Sequence, residues 1–231
     1  MFFILLNINI GNSVTIIGSN AFNGCLELVS ITIPESVTSI GKYAFYDCDS
    51  LTSISIPDSV TSIGSHAFYN CADLTSVKIT SSTLKSIGSN AFAGCKNIKE
   101  IDIPSGVTRI GSYAFAGCEG IMSLKMPDSI TNIDSYAFLN CYNLTNLDIP
   151  KNIKKIDTGA FYGCYKLIEV YNRSRLEIQK GNDNHGYAGF YALNIYNSMY
   201  STQKTEVDYN GFVFYEDNDI CYLIAYVGNE T

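Results

Sequence analysis

Apolar positions in this chain recur in blocks that change period as they go. In ISIPDSVTSIGSHAFYNCADL, Ile54 to Leu74, two apolar residues spaced by one position (Ile54, Ile56) are followed by a proline, by Val60 and Ile63, and then by Ala67-Phe68 and Cys71. A spacing of two is the side-chain period of a strand, so both isoleucines face one side. Proline after them removes a ladder donor and fixes a corner. The V/I-T-x-I-G segment adds two anchors and a turn, and a short helical or irregular Ala-Phe segment closes the unit.

The same block is written seven times. Ala-Phe pairs stand at Ala21, Ala44, Ala67, Ala91, Ala114, Ala137 and Ala160, and cysteine follows each at Cys25, Cys48, Cys71, Cys95, Cys118, Cys141 and Cys164. The step is 23 residues except between Cys71 and Cys95, where it is 24. The extra residue lies in the TSST run after Ile79 and is expected to bulge outward without changing strand register. One such unit cannot bury its own apolar side; stacked copies can, because each presents the same interior to the next.

The period, with L-x-x-I-x-I-P and V-T-x-I-G-x-x-A-F-x-x-C, resembles the leucine-rich repeat of the BspA-like surface protein family of bacteria and some parasitic protists. Seven copies cover about Ile10 to Val170. The resemblance implies an α/β repeat solenoid, a right-handed leucine-rich-repeat superhelix with short parallel strands, over residues 1–171. It also implies a cell-surface or secreted setting and a role in adhesion or host interaction. No partner site can be carried over, because the shared residues are scaffold.

Past Val170 the pattern breaks. Residues 172–200 read as an atypical capping segment with a turn at Gly181 to Gly186 and a short helix at Tyr187 to Tyr196, covering the end of the core. Residues 201–231 read as a β-hairpin, two alternating strands around a Glu216 to Asp219 turn. In the family resembled, such a hairpin introduces another block of repeats, so the chain is expected to be a fragment or a shortened gene product. The opening MFFILLNINI lacks the basic lead and cleavage site of an export signal and fits a strand better.

Composition narrows the function classes. With 46% apolar and 16% charged residues the chain has the material for a core, and a formal charge of -7 offers no clustered lysine and arginine for nucleic acid or an anionic bilayer. No run is long enough to insert directly in a membrane. Eight cysteines invite disulfide or metal readings, but seven share one phase of the repeat and lack local C-x-x-C pairs. Buried reduced thiols are the favoured reading, inter-coil disulfides the next, and a metal site the last. His66 and His185 read as surface positions, and Glu216, Asp217 and Asp219 lack a calcium-loop pattern. No glycine-rich phosphate cradle is present, so no cofactor and no catalytic group is expected.

Two outward stripes remain. One reads Thr32, Ser55, Lys78, Asp102, Lys125, Asp148, Tyr171; its neighbour reads Ser30, Ser53, Ser76, Glu100, Ser123, Asn146, Glu169. Lys78, Glu100, Asp102, Lys125, Asp148, Glu169 and Tyr171 are the candidate protein-binding residues, for a protein or extracellular-matrix partner. A plain solvated face, with Lys78, Asp102, Lys125 and Asp148 in alternating ion contacts, stays open as the competing reading. Nine of the 17 tyrosines lie between Tyr171 and Tyr226 and suit either an interface or the covering of the solenoid end. Three sequons, at Asn143, Asn172 and Asn229, would matter only in a eukaryotic secretory route. The function expected is therefore a non-enzymatic binding or adhesion module, or else a structural spacer in a longer surface protein.

Overall fold

The computed structural model describes residues 7–197, together with the backbone of the strands Glu206–Val207, Phe212–Asp217 and Ile220–Tyr226. The repeats stack as a parallel β-solenoid of about eight turns. Each repeat gives one strand to each of two sheets. On the first sheet Ser53–Ile56, Ser76–Ile79 and Glu100–Asp102 pair in parallel, and so do Ser123–Lys125, Asn146–Ile149, Glu169–Asn172 and Asn194–Asn197. The two-residue strands of V-T-x-I-G build the second, from Ile16–Ile17 through Ser62–Ile63 and from Ser86–Ile87 through Lys155–Ile156. Burial alternates strictly: Ile54 and Ile56 are inside while Ser53 and Ser55 are outside.

The third side corrects the expected α/β class, because no α-helix forms among the described residues. Two positions bracketing each Ala-Phe pair adopt left-handed φ. The first holds Asn20, Tyr43, His66, Asn90, Tyr113, Tyr136 and Gly159; the second holds Gly24, Asp47, Asn70, Gly94, Gly117, Asn140 and Gly163. A right-handed helix cannot run through them. The amide a helix would use internally points along the stack instead: Phe22 N–H donates to the Ala44 carbonyl at 2.7 Å, Phe45 to Ala67 at 2.7 Å, and so on through Phe138 to Ala160 at 2.8 Å. This side is thus a ladder of turns.

Inside it runs a file of phenylalanines. Phe22, Phe45, Phe68, Phe92, Phe115, Phe138 and Phe161 stack with ring centroids 5.0–5.5 Å apart and nearly parallel planes. All but Phe22 are fully buried. The cysteines lie beside this file, and the seven described are free thiols. Each thiol from Cys48 to Cys164 donates to the carbonyl of the phenylalanine in the preceding coil, at 3.0–3.4 Å. A small, weakly polar S–H is what such a site accepts, since it bonds one carbonyl at little desolvation cost. Burial pushes the Cys118 thiol up, and the neighbouring thiol in the file, with burial, does the same to Cys48 and Cys141. Site-resolved labelling of the native protein should therefore modify half-exposed Cys25 first among these seven and leave Cys71 to Cys164 intact until unfolding. Rapid native labelling of Cys95 would contradict the packing.

The 24-residue repeat does not simply bulge outward. Ser81 is fully buried; its hydroxyl donates to the Val60 carbonyl, and it accepts the Leu84 amide at 3.2 Å. Ser36, Ser59 and Ser129 make the same donation to Val14, Val37 and Val107 in regular coils, so Ser81 takes over that bond from a shifted backbone position while Thr80, Ser82 and Thr83 face water. Register is retained on both sides, with Val77 opposite Ile101 and Ser86 opposite Arg109. The inserted loop constrains its neighbour: a β-carbon on Gly106 would lie 1.9 Å from the Ser82 carbonyl oxygen. Gly106→Ser, which restores the residue of the regular coils, is expected to cost about 1–3 kcal/mol by overpacking. Urea unfolding checks this, and an unchanged midpoint would contradict it.

Residues 172–197 form an irregular eighth turn in place of the expected helix. Only a 3-10 turn, His185–Tyr187, and the strand Asn194–Asn197 are regular. Gly186 and Tyr187 are left-handed, which excludes a helix there. The Gly186 carbonyl accepts the Phe161 amide at 2.7 Å, continuing the ladder, and a β-carbon on Gly186 would meet the Asp157 carbonyl at 2.4 Å. Leu167 and Val170 are covered by this turn, whose buried apolar side chains are Ile178, Ala188 and Ala192 and not the predicted aromatics. Phe212–Asp217 pairs antiparallel with Ile220–Tyr226, and Glu206–Val207 adds a third strand.

Candidate functional site

The outward face of the first sheet carries both predicted stripes, and parallel register sets them in vertical files: Ser55 stands opposite Lys78, Lys78 opposite Asp102, and Lys125 opposite Asp148, which faces Tyr171. The face divides into three zones. In its N-terminal part Ser53, Ser55 and Ser76 are exposed, and Lys78 stands exposed with no ion-pair partner among the described residues.

The middle zone is a seam. Glu100–Asp102 and Ser123–Lys125 are neighbours in sequence order but form no strand ladder. A hollow of about 540 Å³ opens there, lined by Glu100, Asp102, Ser123, Lys125, Met126 and Pro127 with the edges of Ile101 and Ile103. Three of the seven predicted residues, Glu100, Asp102 and Lys125, thus meet around one depression. Charges of both signs line it.

The third zone is an ordered polar and aromatic network. Tyr171 hydroxyl donates to Glu169 Oε2 at 2.8 Å, and Asn146 Nδ2 donates to the same oxygen at 2.9 Å. Burial, then the bond to Glu169, pushes the Tyr171 phenol up to about 12. Its ring stacks on Tyr196 at 5.0 Å. The alternating ion contacts allowed for from sequence are not what Asp148 makes: Arg173 Nε pairs with Asp148 Oδ1 at 2.6 Å, and Arg173 Nη1 reaches Asp128 Oδ1 at 2.8 Å. Among the described residues no ion pair joins Lys78, Asp102, Lys125 and Asp148 to one another. Asp128 also takes Lys151 Nζ at 3.3 Å.

Arg173, Asp128 and Tyr196 escaped the sequence reading. Arg173 fills the corner slot that proline holds at Pro34, Pro57, Pro104, Pro127 and Pro150, and that departure was the available signal. Its amide, which proline lacks, donates to the Ile149 carbonyl at 3.0 Å. Burial alone would raise the Asp128 carboxyl, but the Lys151 amide and ammonium and the Arg173 guanidinium outweigh it and hold it below the usual range. A carboxylate depressed in the folded state adds stability that is full above its unfolded value and lost as pH falls through the folded one. The clamp from the eighth turn onto the sixth and seventh coils should therefore weaken only below about pH 4. Amide exchange at 169–197 should rise there in the native protein and at neutral pH in Arg173→Met; equal exchange in both proteins at both pH values would contradict it.

His66 is half-buried and stacked on Tyr43 at 4.8 Å, with Nδ1 buried and unpartnered. Burial, then Lys42, lowers its pKa. No grouping of His, Cys, Asp and Glu suited to a metal occurs among the described residues. Asn172 is fully buried with its amide bonded to the Leu176 carbonyl and to Asn197, and Asn143 donates to the Glu119 carbonyl, so neither sequon nitrogen is free in the fold. Asn229 and the Glu216 to Asp219 turn side chains lie outside the described residues.

A search of curated protein sequences gave no match. The family model described as the BspA type leucine rich repeat region matches in six copies, over residues 3–119 and 85–213. A leucine-rich-repeat protein of T. pallidum is 25% identical, with a TM-score of 0.56, covering 64% of this chain and 69% of that one. A protein of Eubacterium ventriosum with the same repeat is 29% identical, with a TM-score of 0.64, covering 74% of this chain and 44% of that one. A leucine rich cell surface protein of Faecalibacterium prausnitzii, 24% identical with a TM-score of 0.54, covers 81% and 62% and adds a likeness of fold alone. The chain spans less than two thirds of the last two proteins. Repeat period, anchor residues, parallel stacking and a family model matching most of its length agree, and the chain belongs to the BspA-type leucine-rich-repeat family.

Proposed function

We propose that this chain is a non-enzymatic protein-binding module of a surface or secreted leucine-rich-repeat protein, and that it meets a protein or extracellular-matrix partner through the outward face of its first sheet. One observation carries the reading: from Glu100 onward the face, until there made of Ser and Thr apart from Lys78, becomes a charged hollow followed by a fixed Glu169–Tyr171–Tyr196 and Arg173–Asp148 network. Side chains already held by neighbours lose little freedom on binding, which favours affinity. Tyrosine and arginine are the side chains that most often dominate interfaces. Family membership supports the surface or secreted setting, and among the described residues no helix is long and apolar enough to cross a membrane.

The N-terminal coils favour a second reading for their own part of the chain. Ser53, Ser55 and Ser76 offer neither charge nor aromatic area, which suits a structural spacer that holds the C-terminal half away from its base. Immobilised wild type, Lys125→Glu/Asp148→Lys on the first sheet, and Lys85→Glu/Lys154→Glu on the opposite side would be compared for retention of solubilised matrix and host-surface proteins. Proteins held by wild type and the second variant and lost by the first support the binding face. Retention by all three alike would move the contact off this face, and retention by none leaves the spacer as the function of the whole chain.

A further inference from the structure

The cysteine file changes character at its first member. Cys25 is half-exposed, whereas Cys48 to Cys164 are buried. Each thiol from Cys71 to Cys164 donates to a phenylalanine carbonyl in fully buried surroundings, while the bond from the Cys48 thiol to the Phe22 carbonyl is only partly buried. Among the described residues no carbonyl accepts the Cys25 thiol. Cys25 and Cys48 are thus the one adjacent pair of the described file with a member that solvent reaches.

The backbone sets the two thiols close together. Phe22 N–H donates to the Ala44 carbonyl and Gly24 N–H to the Tyr46 carbonyl, both at 2.7 Å, so the coils that carry the cysteines are laced together up to the residue before Cys25. The Phe22 and Phe45 rings beside them stack at 5.1 Å. One oxygen joins the pair: the Phe22 carbonyl accepts the Cys48 thiol at 3.1 Å and the Cys25 amide at 3.2 Å, which places the Cys48 sulfur over the turn that carries Cys25. Equivalent residues of hydrogen-bonded coils lie about 4.8 Å apart. That is inside the roughly 4.4–6.8 Å that a disulfide spans between α-carbons. Loss of the S–H donor costs little at Phe22, whose carbonyl keeps the Cys25 amide in a half-open site.

We infer that Cys25 and Cys48 are an oxidisable pair, a modification site at which small disulfides of the glutathione class close a bond between the first two coils. The Cys25 thiolate attacks one sulfur of glutathione disulfide; a Cys25–glutathione bond forms and one glutathione thiolate leaves. The Cys48 thiolate then attacks the Cys25 sulfur and displaces the second glutathione. Two cysteine thiols are oxidised to one disulfide, glutathione disulfide is reduced to two glutathiones, and the two cysteine protons end on them. Burial, then the Cys48 thiol, holds the Cys25 thiol above its usual range, so its thiolate is scarce and entry is the slow step. The bond closes the 23-residue step between the two cysteines and stabilises the fold by restricting the unfolded chain. Extracellular surroundings preserve such bonds. The chemistry of the pair is independent of the proposed binding face.

Peptide mapping of the full chain tests this. Reduced protein is held with excess glutathione disulfide and quenched with acid, its remaining thiols are alkylated in denaturant, and wild type is compared with Cys48→Ala and Cys25→Ser. Wild type should yield a Cys25–Cys48 linkage with Cys71 to Cys164 alkylated. Cys48→Ala should stop with glutathione on Cys25, and Cys25→Ser should carry none on Cys48. Oxidised wild type should also unfold at a higher temperature than the reduced form, a rise that treated Cys48→Ala lacks. A wild type that keeps glutathione on Cys25, links Cys25 to any other cysteine or leaves it reduced overturns the inference. So does glutathione on Cys48 of Cys25→Ser, or an oxidised wild type no more heat-resistant than the reduced one. The wild-type map decides the matter even where Cys48→Ala does not fold.

Discussion

Phe92→Ala is expected to lower the unfolding free energy by about 3–5 kcal/mol, the largest effect of any single substitution considered, through lost burial and the cavity left behind. The ring lies at the middle of the file, parallel to Phe68 at 5.1 Å and to Phe115 at 5.5 Å, and is fully buried. Both neighbours are held by inter-coil hydrogen bonds, such as Phe68 N–H to the Ala91 carbonyl at 2.8 Å, so the gap cannot be closed by a local collapse. Urea denaturation supplies the number. A loss below about 1 kcal/mol would place the Ala-Phe turn outside the cooperative core.

Asn172→Leu is expected to cost about 3 kcal/mol although leucine matches the apolar residues Ile103, Met126 and Ile149 of the equivalent slot. The asparagine is the polar hub of the eighth turn. Its amide donates to the Leu176 carbonyl at 2.6 Å and to Asn197 Oδ1 at 2.7 Å, and its oxygen accepts the Ser174 amide at 3.0 Å and hydroxyl at 2.6 Å. Leucine would leave the buried Ser174 amide and hydroxyl and the half-buried Leu176 carbonyl without their partner, at about 1–3 kcal/mol for each that finds no substitute. Hydrogen exchange should localise the damage to 172–197 and spare Ser53–Ile56. An effect spread evenly over all coils would mean that Asn172 supports the core as a whole.

The two substitutions mark where sequence reasoning succeeds and where it stops. Phe92 was legible because a residue written seven times at one phase must meet its own copies, and strand spacing then fixes how they stack. Alternation within Ser53–Ile56 was legible for the same reason. The Ala-Phe segment was not, since its character depends on left-handed φ at positions that include Tyr43, Tyr113 and Tyr136, a residue type that gives no warning of that conformation. The eighth turn was hidden because Gly186, Ala188 and Ala192 stand where Ala, Phe and Leu anchors would be recognised, and aromatics between them imitate the amphipathic face of a helix. At the candidate site, the vertical files followed directly from the repeat. Which charges pair did not, because Arg173 reaches Asp128 across 45 positions from a slot where proline was expected.

The most direct test of the account is lysine labelling of the chain with and without a partner captured from matrix or host-surface extracts. Lys78 and Lys125 lie on the first-sheet face; Lys85 and Lys154 lie beside the second-sheet strands Ser86–Ile87 and Lys155–Ile156. The account predicts that the partner slows modification of Lys125 several-fold while Lys85 and Lys154 react as in the free protein. Protection of Lys85 and Lys154 with Lys125 unchanged would contradict it and move the binding surface to the other side of the solenoid.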